Sequence, residues 1–461
     1  MDVLNTQKRT ASWLYRWALT FALPLVLAAC GSDAAPEDVS TVGPTFTGNA
    51  WLAGPGGHEE EQWQYDGIDR PLISITRENG VCTFDNGLVQ VVDMHNEQDE
   101  AWHALSSPRP ANHVDESAFP PYAFECDESP YNDHRQVKDY DDYILTYSII
   151  NDAMFYGNLT YDMYVKYLGE PPLNDKIRLR VHYGARNREF AFWDGAYANF
   201  SDAVPFFYST MFLDTVAHEI GHGVLNRISQ LNGFDQSLST DARTLHEVFG
   251  DISGLMAKYE FTGHTDNWIH GEWLYYYARY LNQIETEYGA IASYLDYDDA
   301  DNYYQRIGMM TYPFYLLTSD WGIETVYKVY VDAARTCWQA TTTLPQAAQC
   351  IYTSAGKLGV SQSDVVTAFK AVKIKLFDEG VLSHFTFEKN HLSINVSDTS
   401  ISTGQVNAWH WDFGDGVSAS AQNPVHTYTQ AGTYTVTLTV QDSTGDSDAF
   451  TRTLKVLAPE P

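Results

Sequence analysis

Residues 215–224 read TVAHEIGHGV, with His218 and His222 four positions apart and Glu219 directly after the first histidine. On an α-helix, positions i and i+4 share a face, so both imidazoles reach one ion. Zinc takes tetrahedral nitrogen and oxygen ligands, and a catalytic zinc keeps one position open for water. Glu219 lies about 100° round the helix from His218, beside that open position. It is therefore placed to act as a general base. Two ligands do not complete the set, so a third must come from elsewhere in the chain.

The stretch RTLHEVFGDISG, residues 243–254, offers that third ligand. Glu247 and Asp251 are again i and i+4 and share a face of a second helical run. Glu247 is the candidate ligand. Asp251 is the candidate acceptor for the far nitrogen of a ligating histidine, His218, a contact that fixes the tautomer and raises basicity. A surface helix with scattered His and Glu does not account for a second carboxylate pair at this spacing.

The 461 residues exceed what one compact domain usually holds. A formal net charge of −32 argues against nucleic acid as a partner, because phosphates need Lys and Arg. At the N-terminus Lys8, Arg9 and Arg16 precede an apolar run, 17–29, that ends in small residues. Residues 1–29 read as a signal peptide, and the run is too short for a membrane span. Its end, LAAC at 27–30, resembles the bacterial lipobox. That resemblance implies cleavage before Cys30, a lipid on its thiol and, with Gly31 and Ser32 following, anchorage at the outer membrane or cell surface. Residues 30–62 read as a polar, flexible tether. Cys82, Cys126, Cys337 and Cys350 remain, and an even number in an exported chain reads as disulfides. Three pairings exist. The local pairs Cys82–Cys126 and Cys337–Cys350 are favoured because each closes one loop within one region.

Two folded regions follow. From 63 the chain is first polar and strand-like. Residues 151–169 then show helical spacing that stops at Gly169 and the prolines 171 and 172. RLRVHYG, 178–184, reads as a strand, and further helices are expected at 244–260, 273–288, 305–318 and 323–334. Residues 383–457 differ. TYTVTLTV, 433–440, alternates strictly, placing Tyr434, Val436, Leu438 and Val440 on one face of a half-buried strand. WDFGDG, 411–416, places Trp411 and Phe413 on one face and ends in a turn.

The two metal-site stretches, with FAFWDGAYANF (190–200) and NDAMFYGNLTYDMYVKYLGEPPLNDKIRLRVHYG (151–184), resemble the thermolysin-like zinc metallopeptidases, in particular the vibriolysin (pseudolysin-like) branch. The resemblance implies an α+β two-lobed catalytic domain over 63–380. Its N-lobe would be mixed β, its C-lobe mainly helical, and the zinc helix would floor the cleft between them. WDFGDG, HTY (426–428) and AGTY (431–434) resemble a PKD-type domain, a small immunoglobulin-like β-sandwich, here 383–457; such domains bind substrate or a surface polymer, or act as spacers. Carried over by position, His218, His222 and Glu247 are the zinc ligands, Glu219 the base and Asp251 the supporting carboxylate. Ala191 offers its carbonyl to substrate, and Arg279 binds the substrate carbonyl near the primary pocket. The implied reaction is endoproteolysis of proteins or peptides on the amino side of a bulky apolar residue.

The chain departs from the family pattern in several places. Phe190 stands where an asparagine usually binds substrate backbone, and phenylalanine cannot make that hydrogen bond. Anchoring on Gly308 puts Tyr304 where an oxyanion-stabilising histidine is expected. Its hydroxyl can donate, but it carries no positive charge near neutral pH; Arg306 is close enough in sequence to compensate. Of a second oxyanion tyrosine there is no sign, Phe234 being the nearest aromatic. Asp214 and Glu272 match calcium-binding carboxylates, whereas Lys258 stands where another is expected. Either calcium binds there, or the Lys258 ammonium substitutes for it. The altered substrate groups also support an alternative reading, a catalytically weak or inactive zinc-binding surface protein used for adhesion or peptide binding.

Overall fold

A computed structural model describes residues 50–53, 73–97, 118–125, 149–184, 190–202, 210–233, 238–265, 267–271, 278–283, 293–294, 302–376, 380–402 and 404–458. The signal segment, Cys30, Cys126, Phe234 and Glu272 lie outside the described residues.

The N-terminal lobe carries two sheets. Strands β1 (Ala50–Ala53), β2 (Ile73–Glu78), β3 (Val81–Thr83) and β5 (Ala123–Glu125) form an antiparallel sheet in the order β1-β2-β3-β5. This corrects part of the expected tether: residues 50–53 pair in register with β2 from Ala50–Thr76 to Ala53–Ile73. The second sheet runs β4 (Val89–Asp93), β6 (Ile177–Val181), β8 (Ala198–Phe200), β7 (Ala191–Trp193). Its first three strands are parallel and β7 is an antiparallel edge. Every residue of β6 is buried, as expected of a central parallel strand covered on both faces. Helix α1 (Ile149–Leu168) supplies one cover; a Cβ on its Gly157 would fall 2.6 Å from Val89 Cγ1.

Helix α2 (Leu213–Ile228) carries the opening motif, and α3 (Thr240–Thr262) carries the second. Ser239 caps α3 by accepting from the Ala242 amide, and Gly263 ends it at φ 79°. The two helices approach closely enough that Gly250 is forced. A Cβ there would lie 2.5 Å from His218 Nδ1, so the imidazole occupies the space a side chain would need.

The helical lobe continues with a 3₁₀ turn at Tyr303–Arg306, then α4 (Gly308–Trp321), α5 (Ile323–Cys337), α6 (Leu344–Lys357) and α7 (Gln362–Ala371). A disulfide joins Cys337 to Cys350 and ties α5 to α6. Cys82 is also disulfide-bonded. Helices α6 and α7 were not anticipated from the sequence. The expected helix 273–288 is corrected at its centre: a short strand β9 (Ile269–His270) pairs antiparallel with β10 (Arg279–Tyr280), Arg279 opposite His270. At Arg279 and Tyr280 the local sequence favours extended backbone as much as helix, and the pairing with β9 decides.

The C-terminal sandwich contains β11 (Val381–Leu382), β12 (Phe385–Asn390), β13 (Ser393–Asp398), β14 (Ile401–Ser402), β15 (Val406–Asp412), β16 (Ser418–Ala419), β17 (Val425–Thr427), β18 (Gly432–Asp442) and β19 (Ser447–Val456). Its two main sheets run β12-β13-β17 and β16-β15-β18-β19. Trp411, Phe413, Val436, Leu438 and Val440 fill its core. The sandwich meets the helical lobe at fully buried Tyr294, whose hydroxyl lies 2.7 Å from His384 Nε2 and whose ring packs on Phe450.

Candidate metal centre

Successive turns of α2 present His218 and His222 with ring centroids 4.7 Å apart and planes perpendicular. From α3, Glu247 Oε2 comes within 3.5 Å of His218 Nε2, and Oε1 within 3.9 Å of His222 Nε2. One donor atom from each of the three lies within 4.8 Å of the others. Two imidazole nitrogens and one carboxylate oxygen form a donor set that suits zinc with a position left open. The electrostatics fit a cation as well. Burial works against a charge on His218, yet Asp251 and Glu247 outweigh it and push its pKa up to about 10. The cluster thus demands a positive charge, which a divalent ion supplies in place of the proton. Burial, then the charge on His218, drives His222 down to about 3, leaving it the neutral form a ligand needs.

The supports of the two histidines differ. His218 Nδ1 lies 3.0 Å from Asp251 Oδ1. Asp251 is completely buried and accepts from Arg279 through Nε at 2.7 Å and through Nη2, with His270 Nε2 3.5 Å away. Burial acts to raise the Asp251 pKa, but Arg279, His270 and His218 together hold it well below the usual carboxylate range. His218, Asp251 and His270 form a second cluster of ligand types. Arg279 already occupies its carboxylate, so this group supports the first.

On the other side, His222 Nδ1 faces His246 Nδ1 at 3.4 Å, and His246 Nε2 lies 3.1 Å from the Leu231 carbonyl. A carbonyl only accepts, so His246 carries its hydrogen on Nε2 and offers the Nδ1 lone pair to the Nδ1–H of His222. That leaves His222 Nε2 as the metal-facing lone pair. Burial pushes His246 down to about 4, so this relay is uncharged. Reasoning from the sequence missed His246. It immediately precedes Glu247, and only its residue type marked it.

Glu219 is buried; burial, opposed by His218 and reinforced by Glu247, raises it to about 7. The backbone of Trp193, on the edge strand β7, hydrogen-bonds this carboxylate. Phe190 and Asp194 bond to Ser201 and Tyr197 across the β7–β8 ladder. Antiparallel alternation therefore turns the backbone groups of Ala191 and Trp193 to the open edge. The ring of Phe190 packs with Tyr183 and Phe192 in a small aromatic cluster.

Tyr304 stands 5.9 Å, ring to guanidinium, from Arg279, with its ring tilted against that of Tyr303, centroids 4.3 Å apart. Burial and the charge of Glu247 push its hydroxyl pKa up, so it keeps its proton and remains a donor. Arg306 does not fill the role considered for it. It is 1% exposed, and its Nη1 pairs with Asp241 at 2.8 Å, committing its charge to the first turn of α3. Asp214 accepts from the amides of Thr215 and Gly271, each at 2.8 Å. Burial opposes its charge, but His270, then Lys258, help to lower its pKa.

Family models agree with this architecture. Residues 61–226 match the thermolysin metallopeptidase catalytic domain, 237–374 its alpha-helical domain, and 384–457 the PKD domain. The chain is similar to a virulence metalloprotease of Vibrio anguillarum, 29% identical over 70% of this chain and 48% of the relative. A zinc metalloproteinase of Legionella pneumophila is 26% identical over 74% of this chain and 61% of the relative. The chain spans about half the length of the first of these relatives. Among solved structures, the PKD1 domain of Vibrio anguillarum Epp matches at 35% identity, covering 18% of this chain and 99% of that one, TM-score 0.18. The precursor of protealysin from Serratia proteamaculans matches at 18% identity over 63% of this chain and 89% of that one, TM-score 0.48.

Proposed function

The chain belongs to the thermolysin metallopeptidases and carries a C-terminal PKD domain, and from that premise we propose that it is a zinc-dependent endopeptidase. The observation that carries this reading is the convergence of His218, His222 and Glu247 around one point, with Glu219 buried beside them. A bound zinc supplies a Lewis acid and a water of lowered pKa. Glu219, held near neutrality by burial, accepts the proton of the attacking water and delivers it to the leaving nitrogen. An extended peptide adds to the open edge of β7 as a further strand, with the Ala191 carbonyl receiving its backbone. Arg279 binds the carbonyl that follows the cut, and a bulky apolar residue fills the pocket beside it. The Tyr304 hydroxyl donates to the developing oxyanion.

The chain is exported in this reading and held at the outer membrane or cell surface by a lipid on Cys30. Its sandwich binds substrate or a surface polymer. At Asp214, the Lys258 ammonium takes the place of a calcium ion. Calcium binding at Asp214, measured by titration of the metal-depleted protein, would overturn that substitution.

The packing of Phe190 in the aromatic cluster, where a substrate-binding amide was expected, favours a second reading: a weak or inactive zinc protein that holds peptides. One experiment separates the two. The zinc-loaded chain and a Glu219→Gln variant are assayed on a quenched peptide. The peptidase reading expects a loss of at least ~100-fold in the variant, with one zinc bound in both. Equal inertness of both proteins defeats it.

A further inference from the structure

On its His222 side, the metal centre opens into a pocket of about 160 Å³ bounded by Trp193, His222, Arg243, His246, Glu247 and Tyr303. This is well below the size of a site for a whole small molecule. It suits a single side chain. Arg243 is half-buried there and makes no side-chain hydrogen bond or ion pair among the described residues. Of the acidic groups of the centre, Glu247 faces the metal histidines, Arg279 and His218 take Asp251, and the Trp193 backbone bonds Glu219. Among the described residues Arg243 is thus an unmatched cation, in a chain of net charge −32. A partly desolvated guanidinium gains most from a planar carboxylate bound by two parallel hydrogen bonds.

We propose that this pocket is a subsite for an acidic residue, with Arg243 pairing the carboxylate of a substrate Asp or Glu. Arg279 lies on the opposite, His218 side of the centre. Given the peptidase reading, on which this assignment of sides rests, the acidic residue lies within the two positions on the acyl side of the cut. Trp193 and Tyr303 wall the stem of that side chain.

The test uses fluorescein-labelled peptides that differ only at those two positions, carrying Glu, Gln or Lys. The zinc-loaded full chain should cleave the Glu peptide roughly tenfold faster in kcat/KM than the Gln peptide. Arg243→Gln should level the two, Arg243→Glu should favour Lys, and Arg243→Lys should keep part of the Glu preference. Circular dichroism and zinc content check that each variant is folded and loaded. The same peptides are then bound, without cleavage, to Glu219→Gln with and without Arg243→Gln, read by anisotropy. An unchanged profile on replacing Arg243 overturns the subsite. If no peptide is cleaved but the binding preference depends on Arg243, the pocket stands and the peptidase reading falls. If there is neither cleavage nor preference, both fall.

Discussion

The two zinc-facing histidines are held by opposite means. His218 leans on a buried carboxylate shared with Arg279 and His270, a charged hub. His222 leans on His246 and a backbone carbonyl, an uncharged relay. Both fix Nε2 as the lone pair turned to the metal, but at different cost. A charged hub buried from water is stable only while every partner is present. A neutral relay loses one hydrogen bond when broken and leaves no orphan charge.

Three measurements press on this contrast, the largest effect first. Asp251→Ala strands Arg279 without its counter-charge. Denaturation should show a loss of about 3–5 kcal/mol, and most of the zinc should be lost to a chelator. A change under ~1 kcal/mol would mean the hub is not ionic at all. His246→Ala should leave the metal-free protein near wild-type stability yet weaken zinc binding about 10–100-fold in chelator competition. His246→Gln, which restores an acceptor, should recover part of that; failure to recover it would reduce His246 to packing.

The third measurement uses a neutral buried histidine far from the metal. His384 sits between Tyr294 and Thr399, and burial, with Arg452 adding to it, holds it down to about 3. Its folded pKa lies below the ordinary 6.5, so the native state resists protonation. The stability it contributes is complete above pH 6.5 and is lost as pH falls toward 3. Between those limits unfolding should become easier by about 1.4 kcal/mol per pH unit, an increment that His384→Gln removes. An identical pH profile in that variant would place the acid sensitivity elsewhere.

The parts of the site that were legible in sequence share one property: helical periodicity sets them. His218 with His222, and Glu247 with Asp251, are i and i+4 pairs, so the helix brings each pair together regardless of context. The alternating strand around Leu438 was legible for the same reason, with period two. What escaped depends on partners far along the chain. Arg306 looked available until Asp241, 65 residues away, took it. His246 acquires its role from the Leu231 carbonyl, in a loop without a repeating pattern. Arg279 lies in a sequence whose apolar spacing suits a helix, and its pairing with His270 puts it on a short strand instead. Arg243 on a helix face looks like an ordinary solvated charge until the pocket beside it is seen.

Gly250 has a consequence for how this chain tolerates change. Because the His218 ring fills the place of a side chain there, a library randomised at position 250 and selected for metal retention should return glycine almost alone. The neighbouring, equally buried Phe249 should accept several apolar residues. A position that donates nothing to the metal and offers only room is therefore held as tightly as a ligand.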